Sequence, residues 1–88
     1  MIDNNKLQFI KFQLYKAYLK DDTLDAEKFI KGLIEYYSCS RDEILEHIIY
    51  LEKEKVLVYE RKFNWIWMVE TYAKFYRESQ GDIGSIYY

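Results

Sequence analysis

Glu43, Glu46 and His47 lie in the segment RDEILEHIIY, and their types and spacing could hold a metal ion. Glu43 and His47 are four residues apart, which places them on one face of a helix, with Glu46 beside them. Mixed carboxylate and imidazole ligands suit zinc and related metals. The chain has a single histidine, however, so a solvent-facing histidine among charged neighbours is the simpler interpretation. We predict no metal site.

Cys39 is the second residue with chemical potential, as a thiol nucleophile that uses His47 as its base. It lies in a short link between two predicted helices, where a small, half-buried residue is expected without any catalytic role. The sequence has no glycine-rich phosphate loop, nucleophile elbow or catalytic carboxylate pair in a matching context. We therefore predict no enzymatic activity, no cofactor and no small-molecule substrate.

The composition predicts one folded domain over residues 1–88. Half of the residues are hydrophobic and 19% are aromatic, which gives a short chain the large side chains that its core requires. The N-terminal segment MIDNNK lacks the features of a signal peptide, and no apolar run is long enough for a membrane span. A single cysteine cannot form an internal disulfide bond, which fits a reducing compartment. We predict a cytoplasmic protein without a membrane partner.

Apolar residues recur at helical spacing in three segments. Thr23 precedes the second segment as a predicted N-cap, and Ser40 and Glu43 match the S-x-x-E capping box before the third. Gly32 is unfavourable inside a helix, so we expect a close helix contact there. The predicted helices span about 4–20, 24–37 and 41–54, and the core side of the third carries Ile44, Leu45, Ile48, Ile49 and Leu51.

The period changes to two after the third helix, which predicts a β-hairpin. Its turn contains residues 61–64, and its second strand carries Trp65 and Trp67 on one side. We expect these tryptophans to cover the helices in the core, with stacking on nucleotide bases as the alternative. The predicted strands span about 56–61 and 64–70, followed by a helix over about 71–80 that Gly81 closes.

The order of helix, helix, three-residue turn, helix and hairpin resembles the winged helix-turn-helix superfamily. The segment LEKEKVLVYER is similar to the end of the third helix and the first wing strand in that family. The resemblance implies an α+β, mostly α fold with three helices, a two-stranded wing and a C-terminal helix. It also implies double-stranded DNA as the usual partner, while a minority of members bind only proteins. A small transcriptional regulator or a plasmid or phage accessory protein is the expected role.

The charge pattern shifts the predicted DNA contact from the third helix to the wing. Residues 21–60 contain eleven acidic and five basic side chains, and the exposed glutamates of helix three would repel phosphates. The wing tip is basic, and an asparagine there could contact base edges. The predicted DNA-binding residues are Arg61, Lys62, Asn64, Arg41, Lys16, Lys20 and Lys28.

The alternative function is a protein-interaction module of the same fold that uses its acidic third helix. A host or replication protein would then be the partner. The predicted contact residues are Glu43, Glu46, Tyr50 and Glu54.

Apolar residues outside the main helical stripes predict a homodimer. The terminal elements would form its interface. The residues that suggest it are Phe9 and Phe12 in the first helix and Ile83, Ile86, Tyr87 and Tyr88 in the tail.

Overall fold

Four helices and three short strands form the part of the chain that the computed structural model describes, residues 1–79. The fold is α+β and mostly helical, which confirms the predicted class. None of the helices in this range is long and apolar enough to cross a membrane. The predicted closure at Gly81 and the apolar tail lie outside the described residues. The elements are α1 (Asn4–Leu19), β1 (Leu24–Asp25), α2 (Ala26–Tyr37), α3 (Arg41–Lys53), β2 (Leu57–Glu60), β3 (Trp65–Met68) and α4 (Glu70–Ser79).

Side-chain caps determine where the helices begin. Ser40 accepts a hydrogen bond from the Glu43 amide at 3.1 Å, as predicted for the start of α3. The predicted cap of α2 at Thr23 is wrong, because Asp25 accepts the hydrogen bond from the Lys28 amide. Asp25 has an extended backbone and belongs to β1, so α2 begins two residues later than predicted.

The sheet is antiparallel, with β3 in the centre and β1 and β2 on its two sides. Ile66 of β3 pairs with Leu24 and Tyr59, and the next pair of neighbours, Asp25 and Glu60, flanks Trp65. A four-residue turn over 61–64 joins β2 to β3, as the hairpin pattern predicts. Strand β1 was not predicted, because two residues are too few to show a period.

The core lies between the helices and one face of the sheet. In β3 the inward side chains are Ile66 and Met68, which are almost completely buried. The other buried hydrophobic residues are Leu7, Ile10, Leu14, Tyr15, Ala17, Ala26, Ile30, Leu33, Ile44, Ile48, Leu51, Val56, Leu57, Ala73 and Tyr76.

The prediction that the tryptophans face the core is wrong. Trp65 is 45% exposed and Trp67 is 37% exposed, because both point to the outer face of β3. All four residues of this strand are apolar, so the sequence pattern alone does not show which alternate pair of side chains faces the core. The smaller Ile66 and Met68 occupy the inner face instead.

The prediction of a solvent-facing His47 is also wrong, since this side chain is fully buried. Its Nε2 atom accepts a hydrogen bond from the Asp3 amide at 2.8 Å, and its Nδ1 atom lies 2.7 Å from the Glu43 carbonyl oxygen. Both contacts fit the neutral imidazole with its proton on Nδ1. His47 therefore attaches the start of α1 to α3.

The close helix contact expected at Gly32 is absent among residues 1–79. A Cβ atom built on Gly32 meets no atom within 4 Å, because this position lies on the exposed side of α2. The glycine thus weakens α2, and no described residue packs closely against it in return.

We therefore expect Gly32→Ala to stabilise the protein by about 0.5 to 1 kcal/mol, through the higher helix propensity of alanine. Thermal unfolding followed by circular dichroism should show a midpoint raised by about 2 to 8 °C. Lys31→Ala, at the exposed neighbouring position, is the matched control and should change little. A lower midpoint for Gly32→Ala would show that something packs closely against this glycine in solution.

Candidate functional site

The outer face of α3 forms an open cleft with a volume of about 800 Å³, which we call the α3 cleft. Ile49 and Tyr50 lie in it and are 40% and 41% exposed, and Leu45 is half-buried beside them. The cleft thus has a partly apolar floor on a helix surface. Its lining residues are Met1, Ile2, Asp42, Glu43, Leu45, Glu46, Ile49, Tyr50 and Lys53.

Helix geometry explains why α3 exposes these apolar residues. Ile44 and Ile48 point directly into the core and are fully buried. Leu45 and Ile49 each follow one residue later, and a step of about 100° per residue turns them to the edge of the buried face. The expectation that Ile49 lies on the core side is therefore wrong, and Leu45 is only partly enclosed.

Carboxylates surround the apolar part of the α3 cleft. Glu43 lies 3.0 Å from the Lys6 ammonium group, and Glu46 lies 2.7 Å from the Met1 amino group. The hydrogen bond from that amino group holds the pKa of the Glu46 carboxyl below its usual value. Asp42 is exposed at the N-terminal end of the cleft. The cleft combines an apolar floor with a rim of three carboxylates, two of which are ion-paired within the chain, and one lysine, Lys53.

Three of the four residues predicted to bind a protein partner, Glu43, Glu46 and Tyr50, line the α3 cleft. The fourth, Glu54, is the exposed C-cap of α3 and is not part of this lining. The apolar floor was not predicted from the sequence. Its signal is the i, i+4 spacing of Leu45 and Ile49, which forms a second apolar stripe one position after the buried stripe of Ile44 and Ile48.

Arg61, predicted to contact DNA, folds back onto α3. Its guanidinium group donates hydrogen bonds to both carboxylate oxygens of Glu52, at 3.0 and 2.9 Å, and lies 4.3 Å from the centre of the Tyr59 ring. These bonds hold the pKa of the Glu52 carboxyl below its usual value, so the pair stays charged. The charge of Arg61 is thus largely offset within the chain.

Arg41 is paired in the same manner, with Glu27 at the start of α2. Two hydrogen bonds of 2.9 and 2.6 Å join the groups, and they raise the pKa of the Arg41 guanidinium. This pair connects α3 to α2. Both arginines among the predicted DNA contacts are therefore held by glutamates.

Asn64 holds the hairpin against the start of α2. Its side-chain oxygen accepts a hydrogen bond from the Glu27 amide at 2.9 Å, and its amide group donates to Asp25 at 2.7 Å. Its carbonyl oxygen accepts from the Ala26 amide. Asn64 also has a left-handed backbone, with φ of 59°. Its polar atoms are engaged inside the protein rather than presented for base edges.

The predicted lysines lie exposed on three different elements. Lys62 is at the hairpin tip, where its ammonium group lies 5.7 Å from the centre of the Phe63 ring. Lys16 and Lys20 are at the end of α1, and Lys28 is in the first turn of α2. No side-chain hydrogen bond joins these four lysines to one another in the structure. Their role in DNA binding stays a prediction.

Two of the residues that predict the homodimer, Phe9 and Phe12 of α1, are partly covered within the chain. Phe9 stacks on Tyr36, with ring centres 4.6 Å apart, and meets the edge of Tyr37. Phe9 and Phe12 are both half-buried. The tail residues of the predicted interface lie outside the described range. The homodimer stays a prediction.

Metal-ligating side chains do not gather within residues 1–79. No group of three or more His, Cys, Asp or Glu residues in that range is arranged to hold a metal ion. Cys39 is a half-buried free thiol between α2 and α3.

Comparison with known proteins identifies no relative of this chain. No family model, no curated protein and no solved structure matches it. The winged-helix resemblance is therefore an interpretation of the element order, and the function is inferred from contacts and charges.

Replacement of Asn64 separates its structural role from a role in DNA contact. We expect Asn64→Ala to lower the free energy of unfolding by about 1 to 3 kcal/mol, because it removes two hydrogen bonds and strains a left-handed position. Asn64→Gly should cost less, since glycine accepts this backbone conformation. Chemical denaturation measures both, with Lys62→Ala as a control that should stay within about 0.5 kcal/mol. Unchanged stability in Asn64→Ala would contradict the structural role.

Proposed function

We propose that the protein is a protein-interaction module that binds a basic, amphipathic helical segment of a partner protein in the α3 cleft. The observation that carries this proposal is the apolar floor of Leu45, Ile49 and Tyr50 inside a rim of carboxylates. Apolar side chains on an exposed helix face are anchors that a partner helix can bury. Burial of apolar surface supplies affinity, at roughly 25 cal/mol per Å².

The carboxylates of the rim, of which Asp42 is exposed, favour a partner of opposite charge. Asp42, Glu43 and Glu46 lie on the same side of α3 as the apolar floor. Complementary charges increase the rate of association and disfavour partners of the wrong sign. Lysines and arginines next to the apolar face of a helix would meet these carboxylates.

The order of the elements supports the same site. It resembles the winged helix-turn-helix superfamily, in which the third helix is the usual contact surface and a minority of members bind only proteins. Here that helix presents carboxylates and aliphatic side chains. The lone cysteine, Cys39, supports a cytoplasmic location as part of the same proposal.

DNA binding through the hairpin is the second candidate, and the exposed Lys62 at its tip favours it. Arg61 and Arg41 contribute less positive charge to such a contact because glutamates hold both of them. The outer carboxylates of α3 would also repel a phosphate backbone close to the helix. These contacts give the protein-interaction function the stronger support.

Two designed peptides test the α3 cleft. Both have about 18 residues, five helical turns, and the same apolar face, but the polar face of one is lysine and arginine and that of the other is glutamate. We expect the basic peptide alone to bind in a calorimetric titration. Amide chemical shifts should change at Leu45, Ile49 and Tyr50. Ile49→Ser should weaken binding about tenfold, whereas Leu19→Ser, a similarly exposed apolar residue on α1, should not.

Binding of both peptides with equal affinity would contradict the role of the carboxylates. Shifts that map away from α3, or equal effects of the two serine variants, would contradict the site. Failure of both peptides to bind would exclude the cleft as a general helix-binding surface.

An electrophoretic shift assay with duplex DNA, at low and moderate salt, tests the second candidate. The protein-interaction proposal predicts no shift of the wild type at moderate salt. If DNA binds through the hairpin, replacement of both Arg61 and Lys62 by alanine should lower the salt slope by about 2. In that case Glu52→Gln should strengthen binding, because it releases Arg61, and Glu46→Gln should leave binding unchanged or strengthen it. This pattern would overturn the proposed function.

A further inference from the structure

The outer face of the sheet carries an aromatic surface that the α3 cleft does not include. Trp65 and Trp67 lie next to each other on this side of β3, with Val58 of β2 beside Trp67. We call these three residues the tryptophan face. The sequence contains two tryptophans, and both are here. Large aromatic side chains left this exposed on a small domain mark a binding surface.

Carboxylates flank Trp65 on both sides. Asp25 of β1 and Glu60 of β2 are its direct cross-strand neighbours, and directly paired residues project from the same face of a sheet. Hydrogen bonds from the Lys28 amide and the Asn64 side chain hold the pKa of the Asp25 carboxyl below its usual value. Trp65 therefore lies between two carboxylate side chains.

Further carboxylates border Trp67. It lines an open pocket of about 400 Å³ together with Asp21, Asp22 and Glu70. Tyr18, Thr23 and Met68 complete the lining. Lys62 at the hairpin tip and Lys28 at the start of α2 lie at the end of the sheet closer to Trp65, and Lys20 directly precedes Asp21.

We propose that the tryptophan face binds a cationic side chain, arginine or lysine, in a basic segment of a partner protein. A cation is attracted to the face of an indole ring, and tryptophan is the best aromatic side chain for this contact. The flanking carboxylates also attract a cation. Stacking on nucleotide bases uses similar aromatic surfaces, but the carboxylates around both tryptophans would repel the phosphates of the strand.

This site is independent of the proposed function. It uses β1, β2, β3, the end of α1 and the start of α4, and none of the described residues lines both this site and the α3 cleft. A partner helix could bind in the α3 cleft whether or not the tryptophan face binds a cation.

Fluorescence of the two tryptophans reports on this face directly. We expect capped tetra-arginine to change their emission saturably, with an affinity that falls as salt is raised. Capped tetra-citrulline has nearly the same shape without the charge, and it should have no effect. Trp67→Ala should weaken the binding of tetra-arginine about 3- to 30-fold by calorimetry.

A matched pair of charge variants separates a local effect from a general one. Glu60→Gln should weaken the binding of tetra-arginine about 2- to 5-fold, because it removes a carboxylate beside Trp65. Glu54→Gln removes the same charge from the end of α3 and should leave the fluorescence titration unchanged. Ile49→Ser should also leave it unchanged, so that failure of the α3 cleft and failure of this site are distinguishable.

Three results would overturn the proposal. Equal binding of tetra-citrulline would indicate an apolar contact, such as one with a second copy of the chain. A saturable change with a thymidine dodecanucleotide and none with tetra-arginine would indicate base stacking. No saturable change with tetra-arginine at low salt would exclude cation recognition by this face.

Discussion

The phase of strand β3, meaning which of its alternating side chains face the core, is the constraint on which the other features of the structure depend. Helices cover one face of the sheet, and Ile66 and Met68 occupy that face almost without exposure. Once they point inward, Trp65 and Trp67 must point outward, because successive side chains of a strand alternate. Asn64, the last residue of the turn before β3, joins the hairpin to α2 through backbone and side-chain hydrogen bonds.

Internal ion pairs determine which charges remain for a partner. Glu52 holds Arg61 and Glu27 holds Arg41, so the two arginines predicted to contact DNA connect elements of the fold instead. On the outer face of α3, Glu43 and Glu46 are paired with Lys6 and the Met1 amino group, and Asp42 is exposed. Further carboxylates lie around the tryptophans. The proposed basic protein partner rests on this combination of apolar area and carboxylates at the two surfaces.

Local sequence signals predicted the helices and the hairpin. Which side chains are buried by contacts between distant segments could not be predicted in the same way. The cap at Ser40 depends on neighbouring residues alone, and it is where the pattern placed it. The phase of β3 depends on which side chains fit beneath the helices. A strand of four apolar residues has no polar positions from which this orientation could be predicted. His47 is a polar residue among charged neighbours, which predicts exposure. It is buried because the backbone amide of Asp3, from a distant segment, donates a hydrogen bond to its ring. Of the proposed site, the acidic rim was predicted, but the exposure of Ile49 depends on the packing angle of α3.

The phase of β3 is tested most directly by the environment of each tryptophan in solution. Variants Trp65→Phe and Trp67→Phe leave one tryptophan each, whose emission maximum and quenching by acrylamide can be measured separately. The structure predicts that both emit closer to free tryptophan than a buried indole does, with substantial quenching in each, slightly stronger for Trp65 than for Trp67. Blue-shifted emission and protection from acrylamide in both variants would place the tryptophans in the core, reverse the phase of β3 and contradict this account of the fold.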